Sequence, residues 1–207
     1  LMKSEDEKTA NYLSSVSYVL FNLAYYVDAL FYMLKTLVIR EEKLPENHPD
    51  IASSLNNVGC AYGKLGGDKG YEIECEYCLK ALAIREKVLP ENHPDIATSL
   101  NNIGYAYCEL GDPKEALKYL LKALTIREKV LPKNHPDIAE SLNNVGSAYG
   151  ELGEHKKELE YKLKALTIRE KVLPENHPDI AASYNNVGYA YGELGDHKKE
   201  LEYKLKA

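Results

Sequence analysis

The sequence predicts an all-α protein built from tandem helical hairpins, and three observations support this. First, the tetrapeptide His-Pro-Asp-Ile recurs at His48, His93, His135 and His177, at offsets of 45, 42 and 42 residues. Second, apolar residues between these tetrapeptides follow one another every three or four positions, the spacing of one helix face. Third, glycine or proline separates the apolar runs, where helices commonly end or begin.

The repeat boundaries follow from the same period. Counting back 42 residues from His48 reaches Asp6 without a gap, so the chain divides into five units. The second unit carries three extra residues, and its three glycines predict a lengthened turn between its helices. The last unit stops within its second helix, which suggests a fragment of a longer protein or an array closed by another copy. We predict a single array over 1–207, with repeats at 6–47 (divergent), 48–92 (three-residue insertion), 93–134, 135–176 and 177–207 (truncated).

Repeat three shows the hairpin most regularly. Its first helix, helix A, runs over 96–110 and ends at Gly111, because glycine tolerates the left-handed conformation at a helix end. Asp112 and Pro113 suit the N-cap and first position of the second helix, helix B, whose apolar series runs over 116–131. Neither helix could bury its apolar stripe alone, so neighbouring hairpins are expected to stack.

These spacings resemble the tetratricopeptide repeat signature. The 42-residue period, the paired asparagines of helix A and the segment IREKVLPENHPDIA look like the kinesin light chain type of array. The resemblance implies a right-handed α-α superhelical solenoid in which helices A line a concave groove and helices B form the outside. The residues of repeat three that carry it are Leu100, Ile103, Gly104, Tyr107, Gly111, Ala116, Leu120, Ala123 and Leu124.

Composition narrows the class of function. The chain has 44% hydrophobic and 28% charged residues and a formal net charge of -6, as a soluble globular protein would. No basic stripe is visible, so a general nucleic-acid binder is not expected. The absence of a secretory signal and the few cysteines favour a cytoplasmic protein.

The uncharged stretch over 9–27 is long enough to raise the possibility of a membrane helix. Its asparagines and serines are too polar for that role, and the repeat register places a hairpin turn within it, so no membrane span is expected. The stretch and the residues after it are also rich in tyrosine and phenylalanine. This excess of apolar surface predicts a contact with another chain or with a missing domain.

The metal and enzyme motifs are weak. The spacing Cys75-x-x-Cys78 lacks the second pair that a zinc site needs, and we expect all four cysteines to be small buried or partly buried thiols. The repeated histidines lie one per hairpin, too far apart to share an ion, and suit helix starts instead. His155 and His197 are predicted to lie at the surface of turns, and runs such as HKKELEYKLK to be solvated faces of helix B. We predict no cofactor, no metal and no enzyme activity.

The candidate binding surface is helix A. Its polar positions form a first asparagine column, a second asparagine column directly after it, a column containing tyrosines one turn later, and acidic residues near the groove edge. Asparagine amides can grip an extended peptide backbone while tyrosines cover its side chains. The candidates are Asn56, Asn101, Asn143 and Asn185 in the first column, Asn57, Asn102, Asn144 and Asn186 in the second, with Tyr105, Tyr189, Glu109 and Glu151.

Several alternatives stay open. One asparagine of each pair could bond within the scaffold, since regular repetition is what a structural role also predicts. Kinesin light chains use basic groove residues for acidic peptides, whereas these columns offer Asn, Ser, Tyr and Glu, so a neutral or basic peptide segment is favoured. Arg40, Arg85, Arg127 and Arg169 lie near the ends of helices B and suit pairing between repeats. The chain could instead self-assemble as an oligomerisation module, through the first repeat or the uncapped C-terminal end, or serve as the sensor arm of a larger signalling enzyme.

Overall fold

The computed structural model describes residues 2–207, with side chains from residue 5 onward. This part of the chain contains ten α-helices and no strand, so the all-α prediction is confirmed. The helices divide into two compact units, one up to Leu110 and the other from Gly111. Within the described residues, no helix is both long enough and apolar enough to cross a membrane.

Unit 1 contains the first two hairpins and helix A of repeat three. Each helix packs against the next along the chain, as stacked hairpins require. Its core is formed by small and branched apolar residues, including Ala29, Leu37, Ile51, Leu55 and Val58. The helices are α1 (Met2–Asn22), α2 (Tyr26–Lys43), α3 (Pro49–Leu65), α4 (Gly67–Val88) and α5 (Pro94–Glu109).

Unit 2 repeats the arrangement from helix B of repeat three onward. Consecutive helices again pack against each other, and Leu166, Ile180 and Val187 form a core cluster against which the side chains of Tyr191 and Tyr203 lie. The helices are α6 (Pro113–Val130), α7 (Pro136–Glu151), α8 (His155–Val172), α9 (Pro178–Glu193) and α10 (His197–Lys204).

The repeated histidines are N-caps. In each His-Pro-Asp segment, the histidine Nδ1 accepts a hydrogen bond from the backbone N–H of the aspartate two residues later, and the proline occupies the first turn. This confirms the predicted position at helix starts. The N···N distances are 3.1 Å for His48, His93 and His135, and 3.2 Å for His177.

The arginines near the ends of helices B connect each repeat to the following helix A. Arg85 Nη1 donates to Ser99 Oγ over 2.6 Å and to the backbone oxygen of Asp95 over 2.9 Å. Arg127 binds Ser141 over 2.8 Å in the same way. The predicted pairing between repeats is confirmed, and it holds also for Arg40 with Ser54 and Arg169 with Ser183.

The insertion in repeat two lengthens a helix and not a turn, so that prediction was wrong. Helix α4 has 22 residues, against 18 in α6 and α8, and only Gly66 separates it from α3. The glycines mislead because Gly70 is needed for packing: a Cβ there would lie 2.7 Å from the backbone oxygen of Tyr62. The extra residues therefore add about one helical turn at the start of α4.

The uncharged stretch over 9–27 forms the predicted hairpin turn. Helix α1 ends at Asn22 and α2 begins at Tyr26, with Ala24 in the left-handed region at φ 62°. Several apolar side chains around this turn face solvent, among them Leu23 at 61% and Val27 at 69% exposure. The first repeat therefore carries the exposed apolar surface that the sequence predicts.

Candidate functional site

The asparagines of helix A form amide pairs between successive repeats. In unit 1, Asn102 of α5 donates from Nδ2 to the Oδ1 of Asn56 on α3 over 3.2 Å. In unit 2, Asn186 of α9 donates to the Oδ1 of Asn143 on α7 over 3.0 Å. In both pairs the second-column asparagine of one repeat binds the first-column asparagine of the repeat before it.

Burial separates the eight asparagines into three groups. Asn56 and Asn101 are 6% and 2% exposed, so little of either side chain is accessible to a ligand. Asn57 and Asn185 are exposed on the surface of their helices. The half-buried ones are Asn102, Asn143, Asn144 and Asn186.

The tyrosine column differs between the two units. Tyr105 is half-buried, and its ring meets that of Tyr71 edge to face at 6.2 Å. Burial, together with the nearby Glu109 carboxylate, raises the pKa of Tyr105. Tyr189 is 59% exposed, and the Lys204 ammonium lies 4.1 Å from its ring centroid.

The groove-edge position is acidic and exposed in three repeats. Glu109, Glu151 and Glu193 occupy it, while repeat two has the exposed Lys64. In unit 2, the Oε2 of Glu193 lies 3.7 Å from the Nε2 of His155 on the preceding helix B. This position of helix A therefore carries an exposed carboxylate in both units.

Unit 2 contains a buried ionic cluster that was not predicted from the sequence. Glu158 is 6% exposed, and its carboxylate accepts from Lys162 Nζ over 2.7 Å and contacts His155 Nδ1 at 2.9 Å. It lies against Gly150, where an added Cβ would approach the carboxylate carbon to 2.7 Å. Glu200, Lys204 and His197 repeat the cluster against Gly192 in repeat five.

Two predictions are corrected by this cluster. The HKKELEYKLK run was predicted to be a solvated face of helix B, but Glu158 and Lys162 are buried because Gly150 and Gly146 leave room for them. His155 was predicted to lie at the surface of a turn, but it is half-buried and begins α8, where Glu158 binds it. His197 also begins a helix, although it is exposed as expected.

The equivalent carboxylate in unit 1 has no such partners. Glu74 is 4% exposed and lies against Gly63, but Tyr71 and Cys78 stand where repeat four has His155 and Lys162. Of the side-chain atoms that the structure describes, its Oε2 is the one buried without a hydrogen-bond partner. Burial raises the pKa of the Glu74 carboxyl to about 8, with Lys64 lowering it in part and Glu109 raising it.

A sequence signal for these carboxylates did exist. Repeats two, four and five each combine a glycine in the last turn of helix A with a glutamate in helix B, whereas repeat three has Cys108 and Ala116 at these positions. Repeats with the glycine have the glutamate, and the repeat with a larger residue in place of the glycine has a smaller one in place of the glutamate. This pattern indicates that the glutamate side chain fills the space that the glycine leaves.

Comparison with known sequences identifies the tetratricopeptide repeat along the chain. One family model of the tetratricopeptide repeat matches residues 75–129, 95–171 and 137–207, which together make up more than half of the chain. A second matches 9–50 and 51–95. No curated protein matches the chain significantly.

Solved structures share the fold at low sequence identity. Nearly identical TPR-like repeats assigned to a kinesin light chain of Podosopora anserina are 22% identical, with a TM-score of 0.76 over 95% of this chain and 92% of that one. BtubC (BKLC) from P. vanneervenii is 18% identical, with a TM-score of 0.76 over 97% and 86%. A Rap protein complexed with Competence and Sporulation Factor is 20% identical, with a TM-score of 0.77 over 94% of this chain and 52% of that one. The predicted likeness to kinesin light chain-like repeats is confirmed.

Proposed function

The chain belongs to the tetratricopeptide repeat family, and from that premise we propose that it is a protein-interaction scaffold that binds a peptide segment on the exposed face of its helices A. One observation carries the proposal: exposed polar and aromatic side chains lie beside amides that already bind each other. Asn57 on α3, and Asn185 and Tyr189 on α9, are exposed and do not belong to the hydrophobic core. Asn185 and Tyr189 are four residues apart and so share one face of α9, and exposed groups of this kind suit ligand contact better than packing.

The amide pairs would hold the helices at a fixed spacing while the exposed groups contact the peptide. A free asparagine amide can both donate to and accept from the backbone of an extended peptide. The ring of Tyr189 offers a flat apolar surface for a side chain of the ligand. This division gives Asn56, Asn102, Asn143 and Asn186 a scaffold role and Asn57 and Asn185 a ligand-contacting one.

The proposed ligand is a neutral or basic segment. Glu109, Glu151 and Glu193 are exposed at the groove edge, where they would attract a lysine or arginine and repel a carboxylate. The Rap protein that shares the fold is complexed with Competence and Sporulation Factor, so binding of a factor has a precedent on this scaffold. The proposal gives the chain no catalytic role, and its free thiols suit a cytoplasmic location.

Selection from a displayed library of random peptides tests the proposal. We expect enrichment of lysine- or arginine-containing sequences, and an affinity loss of at least about tenfold for a chain carrying Asn57→Ala, Asn185→Ala and Tyr189→Ala. A matched control carries Lys122→Ala and Lys171→Ala on exposed positions of helices B. Equal loss in both variants, or no enrichment above an unrelated helical protein, would reject the surface of helices A as the site.

Self-assembly through the first repeat is a second candidate function. Tyr12, Val19, Leu23 and Val27 are 55–69% exposed, which is unusual for neighbouring apolar residues in a soluble protein. If this surface binds a second copy, the molar mass measured by light scattering will rise with concentration. Val19→Ser with Leu23→Ser should then restore the monomer, whereas a constant monomer mass in the unmodified chain rejects this candidate.

A further inference from the structure

Two cysteine thiols in the hairpin of repeat two contact the same asparagine amide. Cys60 lies on α3 and is half-buried, while Cys78 lies on α4 and has no solvent exposure. The neighbouring Cys60 thiol, together with burial, raises the pKa of the Cys78 thiol. The Asn56 amide also joins them, because its Oδ1 accepts from the Cys78 thiol over 3.9 Å and its Nδ2 donates to the Cys60 sulfur over 3.8 Å.

The backbones of the two helices come close at this point. A Cβ added to Gly59 would lie 3.2 Å from the Cys78 sulfur and 3.1 Å from the Glu74 backbone oxygen, so α4 rests almost directly on α3. Cys60 is the next residue along α3. A disulfide requires Cα atoms within about 7 Å of each other. Close packing of the two helices beside the cysteines favours such a short distance.

The other cysteine of α4 faces a different helix. Burial raises the pKa of the Cys75 thiol, and the nearby Tyr107 of α5 lowers it in part. The sequence spacing Cys75-x-x-Cys78 therefore does not define the contacting pair. We propose that Cys60 and Cys78 form a reversible intramolecular disulfide, which makes the hairpin of repeat two a site of oxidation by peroxide.

The reaction begins at Cys60 because it is the more accessible of the two thiols. Its sulfur attacks the peroxide, the O–O bond breaks, and Cys60 becomes a sulfenic acid as one water leaves when hydrogen peroxide is the oxidant. The Cys78 sulfur then displaces the sulfenic oxygen as a second water, and the S–S bond forms. The two thiols lose two electrons and two protons, and the peroxide is reduced to water.

The new bond would join α3 to α4 and close the segment that contains the inserted helical turn. It would also change the contact between α3 and α5, since the Cys60 sulfur now accepts a hydrogen bond from Asn102 Nδ2 over 3.2 Å. A cross-link of this kind restricts the unfolded chain. We therefore expect oxidation to raise the thermal midpoint by roughly 5–10 °C, and a thiol reductant to reverse the rise.

The experiment uses the full chain carrying Cys75→Ser and Cys108→Ser, so that only the proposed pair remains. Cleavage by trypsin after Lys43, Lys64, Lys69 and Lys80 places Cys60 and Cys78 in separate peptides. After treatment with hydrogen peroxide, we expect the intact mass to fall by two hydrogens and the two peptides to appear as one cross-linked species. Cys60→Ser and Cys78→Ser, each shown to be folded by circular dichroism, should both abolish that species and the rise in thermal midpoint.

The same experiment can overturn the proposal. It fails if Cys60 accumulates as sulfinic acid while Cys78 stays a thiol, or if the cross-link is intermolecular. Mapping the unmodified chain gives an answer even if a serine variant does not fold. A disulfide found there between Cys75 and Cys78 would also reject the pair proposed from the structure.

Discussion

Replacing Glu74 by glutamine should stabilise unit 1, because it removes a buried ionisable group. The carboxyl is 4% exposed, its Oε2 lacks a partner among the described atoms, and its pKa is raised to about 8. Glutamine has nearly the same shape but cannot ionise. The variant therefore isolates the cost of holding an ionisable group at this position.

The size of the effect follows from the difference in pKa between the folded and unfolded chains. The unfolded value is 4.5 and the folded value about 8, so the folded chain keeps a proton that the unfolded chain releases between these two values. Stability is therefore unaffected below the unfolded value and falls as pH rises, by about 1.4 kcal/mol per pH unit, until the folded carboxyl ionises. The whole cost reaches about 5 kcal/mol above the folded pKa, and about 3 kcal/mol near neutral pH.

Urea denaturation at several pH values between about 5 and 9 measures this cost. We expect Glu74→Gln to abolish most of the loss of unfolding free energy at high pH, and hydrogen exchange to localise the gain to α3 and α4. The matched control is Glu158→Gln in unit 2, where Lys162 and His155 bind the carboxylate. That change leaves a buried ammonium without its partner and should destabilise the chain, by about 3 kcal/mol.

Two substitutions that change stability in the same direction would refute this prediction. It is also refuted if Glu74→Gln leaves the pH dependence of unfolding unchanged, since the folded carboxyl would then ionise as it does in the unfolded chain. A gain that is the same at every pH would indicate improved packing and not the removal of a titrating group.

Three further predictions concern individual contacts of the scaffold. Gly63→Ala should cost about 1–3 kcal/mol, because its Cβ would lie 1.9 Å from the Glu74 carboxylate, and Glu74→Ala should suppress that cost in a double-mutant cycle measured by urea unfolding. Arg127→Ala should cost about 2–4 kcal/mol, because the buried guanidinium binds Ser141 and the backbone at the start of the next helix. If Arg127→Ala costs as much in the Ser141→Ala background as in the unmodified chain, the contact with Ser141 is not the cause. His135→Ala should cost about 1 kcal/mol through loss of the N-cap, and thermal unfolding of the variant against His135→Asn checks it.

The fold was predictable because the period repeats each local signal. A single His-Pro-Asp segment is a weak indication of a helix start, but four at a regular spacing are a strong one. All four histidines cap a helix. The contacts of Arg85 and Arg127 followed from the same register. Gly70 was misread because glycine predicts a turn locally, whereas here a neighbouring carbonyl oxygen excludes a side chain from a helix.

The candidate site was less predictable, because asparagines at equivalent positions differ in burial. Asn56 is buried, whereas Asn57 and Asn185 are exposed, although all three are the same residue type. The Asn102 amide hydrogen-bonds Asn56 and not Asn57. Charge was misleading for a related reason. Glu158 and Lys162 have the spacing of a solvated pair, and only the missing side chain at Gly150 shows that the pair points inward.

The repeats therefore differ in the side chains that they place at equivalent positions of helix B. At one position of helix B, repeat three has the buried Ala116 and repeat four has Glu158, bound by a lysine and a histidine. Repeat two has Glu74 in the same place without either partner, followed by Cys78, which like Cys60 contacts the Asn56 amide. An apolar residue or a satisfied ion pair can stabilise a hairpin, but an unpaired carboxyl beside two thiols costs stability. Such local costs are typical of positions that respond to their surroundings, and they make repeat two the part of this scaffold where a change of pH or oxidation should have its largest effect.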